Sequence, residues 1–261
     1  MPSHPLTAGN ARVKEARKLS RRPARAGRRL FLAEGWKAVR AARQVPGCLV
    51  EVFATPAAAD EHAATLDGLP VTLVDDRALR SLTDAVTPQG LVAVCRFLEH
   101  DPERLLAGAG LVAIAADVRD PGNAGTLLRT ADAAGAAGVL LAGNSVDPFN
   151  PKTVRASVGS VFQLPFAQVT DPAEAVRRCR EHGLTVLAAD GAGEVDLFDA
   201  GGLLARPTAW LFGNEAWGLP DELAALADHR VRIPLLGRAE SLNLATAAAV
   251  CLYASARAHR A

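Results

Sequence analysis

The chain has 261 residues, 49% of them hydrophobic and 22% charged, with a formal net charge of +1. It is globular, long enough for two modest cores, and no apolar run approaches the length of a membrane span. With no apolar signal core near the N-terminus, a cytoplasmic protein is expected; Cys48, Cys95, Cys179 and Cys251 are far apart and the histidines scattered, so reduced core thiols and no metal site are expected.

The near-neutral total conceals a segregation of charge. Residues 1–40 hold eleven Lys and Arg against Glu15 and Glu34, a net of +9; the remainder holds eighteen basic and twenty-six acidic residues, a net of −8. Such a distribution points to an anionic partner met by the N-terminal end, nucleic acid first. A solvated tail that only aids solubility is the competing reading of residues 1–20. From Phe31 a helix is predicted to Gln44, stopped by Pro46-Gly47. Strands are predicted at Leu49–Phe53, Val71–Val74 and Gly90–Arg96, with helices over Ala57–Leu66 and Arg77–Leu82. This is a small α/β module, followed by a connecting segment bracketed by His100-Asp-Pro-Glu103 and Gly108-Ala-Gly110.

From Leu111 strands and helices alternate. Strands are predicted at Leu111–Ala116, Gly138–Ala142, Phe162–Phe166, Leu184–Ala189, Thr208–Phe212 and Arg230–Leu235. Helices are predicted over Gly125–Ala136, Pro151–Val158, Pro172–His182, Pro220–Ala227 and Leu242–Ala258. Continuous apolar strands alternating with helices imply a parallel sheet covered on both faces, with ligands bound beyond the carboxyl ends of its strands.

Three loops at those ends are unusual: 117–123, 213–219 and 236–243. The first carries Asp117-Val-Arg-Asp-Pro121-Gly122 into Asn123-Ala-Gly-Thr-Leu-Leu-Arg129, placing one arginine among Leu and Ala. An arginine on an apolar helix is costly to bury without a partner, so a partner is expected. The second, Gly213-Asn-Glu215-Ala-Trp217-Gly218-Leu-Pro220, holds an acidic residue between two glycines that permit close backbone approach. The third contains Ser241, a natural N-cap for the last helix, and Asn243. No GxGxxG follows a strand and no GxxxxGK[ST] occurs, which argues against dinucleotide and P-loop chemistry.

Together these segments resemble the three motifs of the SpoU/TrmH family of RNA ribose 2′-O-methyltransferases, within the SPOUT superfamily. The motifs are matched by Asn123–Ala131, by Leu211–Gly218, and by Ile233-Pro234 with Glu240–Thr246. Asn150–Gly159 and Phe31-Leu-Ala-Glu34-Gly35 also match, so that the resemblance covers about residues 20–258. One departure is Ala245, where the family usually has a second serine.

The resemblance implies an α/β fold: a C-terminal parallel-sheet SPOUT domain with a trefoil knot, and a small N-terminal L30e-like RNA-binding domain. The divisions expected are a basic extension over 1–29, the substrate-binding domain over 30–98, a linker over 99–109 and the methyltransferase domain over 110–261. It implies S-adenosylmethionine as cofactor, held near Leu211, Gly213, Gly218, Ile233 and Leu242. Arg129 is the main catalytic residue it implies, with Asn123, Glu215, Ser241 and Asn243 orienting it and the ribose. Because arginine stays protonated, Arg129 suits phosphate clamping and stabilisation of a developing alkoxide better than proton removal. RNA contacts are expected from Arg21, Arg22, Arg25, Arg28 and Arg29, with Glu34 at the start of the substrate domain. A homodimer through the C-terminal domain is also implied. The substrate expected is 23S ribosomal RNA. Transfer to tRNA, or a non-catalytic RNA-binding or ribosome-assembly factor on the same fold, are the alternatives.

Overall fold

The computed structural model describes residues 4–98 and 100–260. Residues 1–3, Glu99 and Ala261, at the edges of the expected extension, linker and last domain, lie outside the described residues. The chain forms two compact units: residues 1–98 with 147–162, and residues 99–146 with 163–261.

In the first unit four strands, β1 (Leu30–Glu34), β2 (Leu49–Ala54), β3 (Val71–Leu73) and β4 (Leu91–Arg96), form a mixed sheet in the order β1-β4-β2-β3. β4 runs antiparallel to β1 and β2, and β3 parallel to β2. The predicted helix from Phe31 is corrected here: Leu30–Glu34 is a strand, and the helix covers only Trp36–Arg43. Phe31, Leu32 and Ala33 are all buried, and a short run buried on both faces has no period to separate strand from helix. Gly35 makes the break at φ 89°, where a Cβ would stand 2.5 Å from the Gln89 side chain.

The expected N-terminal extension is part of this fold. Helix Ala11–Arg17 and the 3-10 turn Lys18–Ser20 that leads into helix Arg22–Arg28 carry Val13, Ala16 and Leu19 into a core with Leu32, Phe53, Leu79 and Val92. Residues 147–162 also belong here rather than with the second unit that flanks them in sequence. Phe149 lies 3.9 Å from Phe97 and 4.8 Å from Phe31 between ring centroids, and Phe162 5.8 Å from Phe31. A core aromatic buries the largest apolar surface available to one side chain, so these contacts fix the segment's allegiance.

The second unit is a seven-stranded parallel sheet: β5 (Leu111–Ala116), β6 (Gly138–Ala142), β7 (Phe166–Val169), β8 (Thr185–Ala189), β9 (Val195–Asp196), β10 (Thr208–Phe212) and β11 (His229–Arg232). The order is β7-β6-β5-β10-β8-β11-β9. The predicted strand at Phe162–Phe166 instead begins at Phe166, and β9 is too short to show a period. β5, β6 and β10 are buried along their whole length, as strands covered on both faces must be. The helix Pro172–Glu181 packs one face through Val176 and Cys179. The last helix, Leu244–Ala258, packs against β10, where buried Ser255 accepts from Trp210 Nε1 at 2.9 Å. From β5 the chain steps outward through β6 and β7, then returns to the other side of β5 with β8 and β10. That reversal is where open α/β sheets leave a crevice beyond the strand ends. Among the described residues no helix is long and apolar enough to cross a membrane.

Candidate active site

The loops after β5 and β10 emerge side by side because these strands pair in register from Leu111–Thr208 to Ala115–Phe212. The β10 loop closes on itself: Asn214 and Gly218 exchange two backbone hydrogen bonds of 2.9 Å. A Cβ on Gly213 would stand 2.3 Å from the Gly218 carbonyl carbon, and Gly218 has φ 72°. Both glycines are therefore demanded by the turn itself. The Asn214 amide donates to the Asp117 carbonyl at 2.7 Å, tying this loop to the one after β5.

Glu215 completes the tie. Its carboxylate accepts from the backbone N–H groups of Arg119 at 3.2 Å and Asp120 at 3.0 Å, and from the Asn123 amide at 3.2 Å. Asn123 Oδ1 in turn accepts from the Asn243 amide at 3.1 Å. A hydrogen-bonded chain thus runs Glu215–Asn123–Asn243, joining all three loops predicted from sequence. The helix containing Asn123 begins earlier than predicted, at Pro121. Asp120 caps it, accepting from Asn123 N at 2.8 Å. An Asp followed by Pro is the ordinary signature of such a start, and this anchoring role of Arg119 and Asp120 was legible only through it.

Asn243, not Ser241, caps the last helix, accepting from Ala245 N at 2.9 Å and Thr246 N at 3.4 Å. The helix starts at Leu244, two residues beyond the prediction, which leaves Ser241 exposed on the loop. Ala245 is buried in the first turn, so its methyl faces the interior where the family's serine would bring a hydroxyl.

Arg129 requires a correction as well. The buried face of its helix is Ala124, Gly125, Leu127, Leu128 and Ala131, and Arg129 falls outside it, exposed to solvent. Among the described residues its guanidinium makes no hydrogen bond or ion pair. Six residues beyond Asn123, it is displaced by about 9 Å along the helix and about 120° around it, so the two do not converge within one chain.

Beside the Glu215 loop, beyond the carboxyl ends of β8, β10 and β11, lies a cleft of about 340 Å³. Its walls include Phe212, Ile233, Leu242 and Leu244, with Ser241, Glu215 and Glu240 at polar points. Of the expected cofactor residues, Gly213, Gly218, Ile233 and Leu242 line it. Leu211 does not: it is fully buried in β10, where its side chain joins the core beneath the sheet. Apolar walls with a few carboxylates suit a bent, cationic nucleoside such as S-adenosylmethionine.

The expected RNA-contact residues divide. Arg21, Arg22, Arg28 and Arg29 are exposed. Arg25 is 2% exposed: it donates to Asp147 Oδ2 at 2.7 and 2.9 Å and to the carbonyls of Leu19 and Ser20. It is a core cation and is corrected out of the RNA set. Glu34 accepts from Thr83 Oγ1 and lies 3.5 Å from Arg155, which also pairs with Asp84. Burial pushes the Cys179 thiol up to about 12 and raises that of Cys251, so neither is a nucleophile at neutral pH.

The SpoU rRNA methylase family model matches residues 110–253, most of the second unit and more than half of the chain. The chain belongs to the SpoU rRNA methylase family. Residues 10–93 match the MRM3-like substrate binding domain. Among SpoU relatives, the chain is 34% identical to the 23S rRNA (guanosine(2553)-2′-O)-methyltransferase RlmP of Bacillus subtilis, over 95% of this chain and 96% of the relative. It is 37% identical to the 23S rRNA (uridine(2479)-2′-O)-methyltransferase of Streptomyces viridochromogenes, over 65% of this chain and 61% of that protein. The AdoMet-bound rRNA methyltransferase of Sinorhizobium meliloti superposes with a TM-score of 0.82 at 37% identity, covering 95% of each chain.

Proposed function

We propose that this chain transfers a methyl group from S-adenosylmethionine to a ribose 2′-hydroxyl of 23S ribosomal RNA in the cytoplasm. The observation that carries the reading is the Glu215–Asn123–Asn243 chain beside an apolar cleft, in a protein similar to RlmP over nearly its whole length. S-adenosylmethionine supplies a methyl group already activated on a sulfonium, and Gly213, Gly218, Ile233 and Leu242 would hold it. The protein's share of the reaction is alignment and charge. Asn123 and Asn243 hold the ribose side of the site in place, with Glu215 fixing Asn123 through a carboxylate that also fixes the loop after β5. Ser241 adds a hydroxyl on the cleft wall. Arg129, as a guanidinium cation, would hold an RNA phosphate and stabilise the negative charge that develops on the 2′-oxygen as its proton is released to water.

The same reading makes the enzyme a homodimer through the second unit. Arg129 is exposed and meets no partner among the described residues, as a residue completing a second copy's site must be. Tyr253, 52% exposed on the last helix, supplies apolar surface for the association. Arg21, Arg22, Arg28 and Arg29 supply phosphate contacts that position the RNA.

The two relatives' names specify different nucleotides, a guanosine and a uridine, so the shared architecture sets the chemistry while the target is set elsewhere. The test is transfer of labelled methyl from S-adenosylmethionine to protein-free 23S rRNA and, in parallel, to tRNA. Label recovered as a 2′-O-methyl nucleotide in the 23S rRNA alone is expected. Label in tRNA, or no cofactor binding by calorimetry, would overturn the reading.

A further inference from the structure

Trp217 occupies a position that neither the turn nor the core explains. It is 54% exposed, whereas Trp210 is fully buried. Its indole N–H makes no hydrogen bond to any described residue. The turn around it closes through the backbone of Asn214 and Gly218 and through Gly213, and needs no indole. What the ring does meet is the Arg119 guanidinium, 5.0 Å from its centroid. Arg119 is itself exposed, with no carboxylate partner among the described residues.

Both side chains rise from backbone that is locked from several directions. Glu215 holds the Arg119 and Asp120 amides, and Asn214 holds the Asp117 carbonyl. Ala216 and Gly218, on either side of Trp217, line the cleft. A flat aromatic face and a flat cation are thus presented to solvent at the cleft mouth on rigid loops, with little entropy left to lose on binding.

We infer that Trp217 and Arg119 form a stacking platform for an unpaired RNA base next to the target ribose. Sequence-specific RNA recognition is concentrated on unstacked bases, which stack on aromatic rings and guanidinium planes. Every base has a π-face, so the platform positions the nucleotide without choosing it, and the positive charge of Arg119 draws in the adjoining phosphate. Trp217 acts as a positioning residue: it holds the nucleotide whose 2′-hydroxyl must align with the cleft.

The inference rests on RNA being the substrate, and its test separates the two. Kinetics of W217A and W217F on protein-free 23S rRNA are measured beside cofactor binding by calorimetry and tryptophan emission on adding single-stranded RNA. Stacking on one base predicts that W217A raises KM for RNA about ten- to a hundred-fold, the effect falling on KM rather than kcat. Cofactor affinity should stay intact, and W217F, which keeps a ring, should recover most of the loss. RNA should quench wild-type emission more strongly than W217F emission, in which only Trp36 and the buried Trp210 remain. An unchanged KM in W217A, a lost cofactor site, or quenching equally strong in W217F overturns the platform. If the wild type transfers no methyl to RNA, the functional reading fails, while the emission experiment still judges the platform.

Discussion

Arg25 in the first unit and Arg129 in the second are both arginines on helices, and the structure uses them in opposite ways. Arg25 is 2% exposed and directs its guanidinium onto Asp147 and two backbone carbonyls. Arg129 is exposed and meets no acceptor among the described residues. One cation is consumed by the fold, and the other is left available. The difference teaches that a basic residue's role is read from its unmet hydrogen-bonding capacity, not from the density of charge around it. A buried cation with satisfied donors has nothing to offer a ligand. An exposed, unpaired one has everything to offer and contributes almost nothing to stability.

Stability and rate should therefore separate cleanly between these positions. The largest effect is expected at the buried pair. Arg25→Ala leaves the Asp147 carboxylate without its partner and should lower unfolding free energy by about 3–5 kcal/mol, read from urea denaturation. Replacing both members by apolar residues, Arg25→Met with Asp147→Leu, should recover only part of that loss, because the Leu19 and Ser20 carbonyls and the Phe149 N–H still lose their partners; a single variant as stable as wild type would break the comparison. Arg129→Ala should leave the unfolding midpoint within about 0.5 kcal/mol and lower kcat for methyl transfer about 10²–10³-fold. Wild-type turnover in that variant would remove Arg129 from the chemistry. The smallest effect is at Asn243. Asn243→Ala loses a helix cap worth about 1 kcal/mol, while Asn243→Asp keeps the cap but not the amide that donates to Asn123. A stable but slow Asp variant would sharpen the division between holding the fold and serving the site.

The sheet of the second unit was largely legible because β5, β6 and β10 are apolar throughout and separated by helices of ordinary length. The loops around Glu215 and Asn243 were legible as a set only because together they resemble the ordered motifs of the family. What was hidden depended on distance in sequence. Nothing among Arg21, Arg22, Arg25, Arg28 and Arg29 distinguishes the one that is buried, because its carboxylate partner lies 122 residues further on. The partner expected for Arg129 fails to meet it for a related reason. Apolar neighbours reveal that a helix has a buried face, but a rotation of 100° per residue decides which residues share it. The start of β1 was obscured by a third cause: Phe31, Leu32 and Ala33 are buried on both sides of the sheet, and an unbroken apolar run of that length fits either kind of element.

The assignment of residues 147–162 to the first unit has a consequence for how the protein is made. Asp147, Phe149 and Phe162 complete a core whose other members, Arg25, Phe31 and Phe97, are synthesised far earlier. During translation the first unit must wait, with an uncompensated cation and open aromatic faces, until residue 162 has left the ribosome. Cutting the gene at the linker would make that waiting state permanent. The two units can be named separately, but their genetic text is interleaved, and neither can be cut out as one continuous segment.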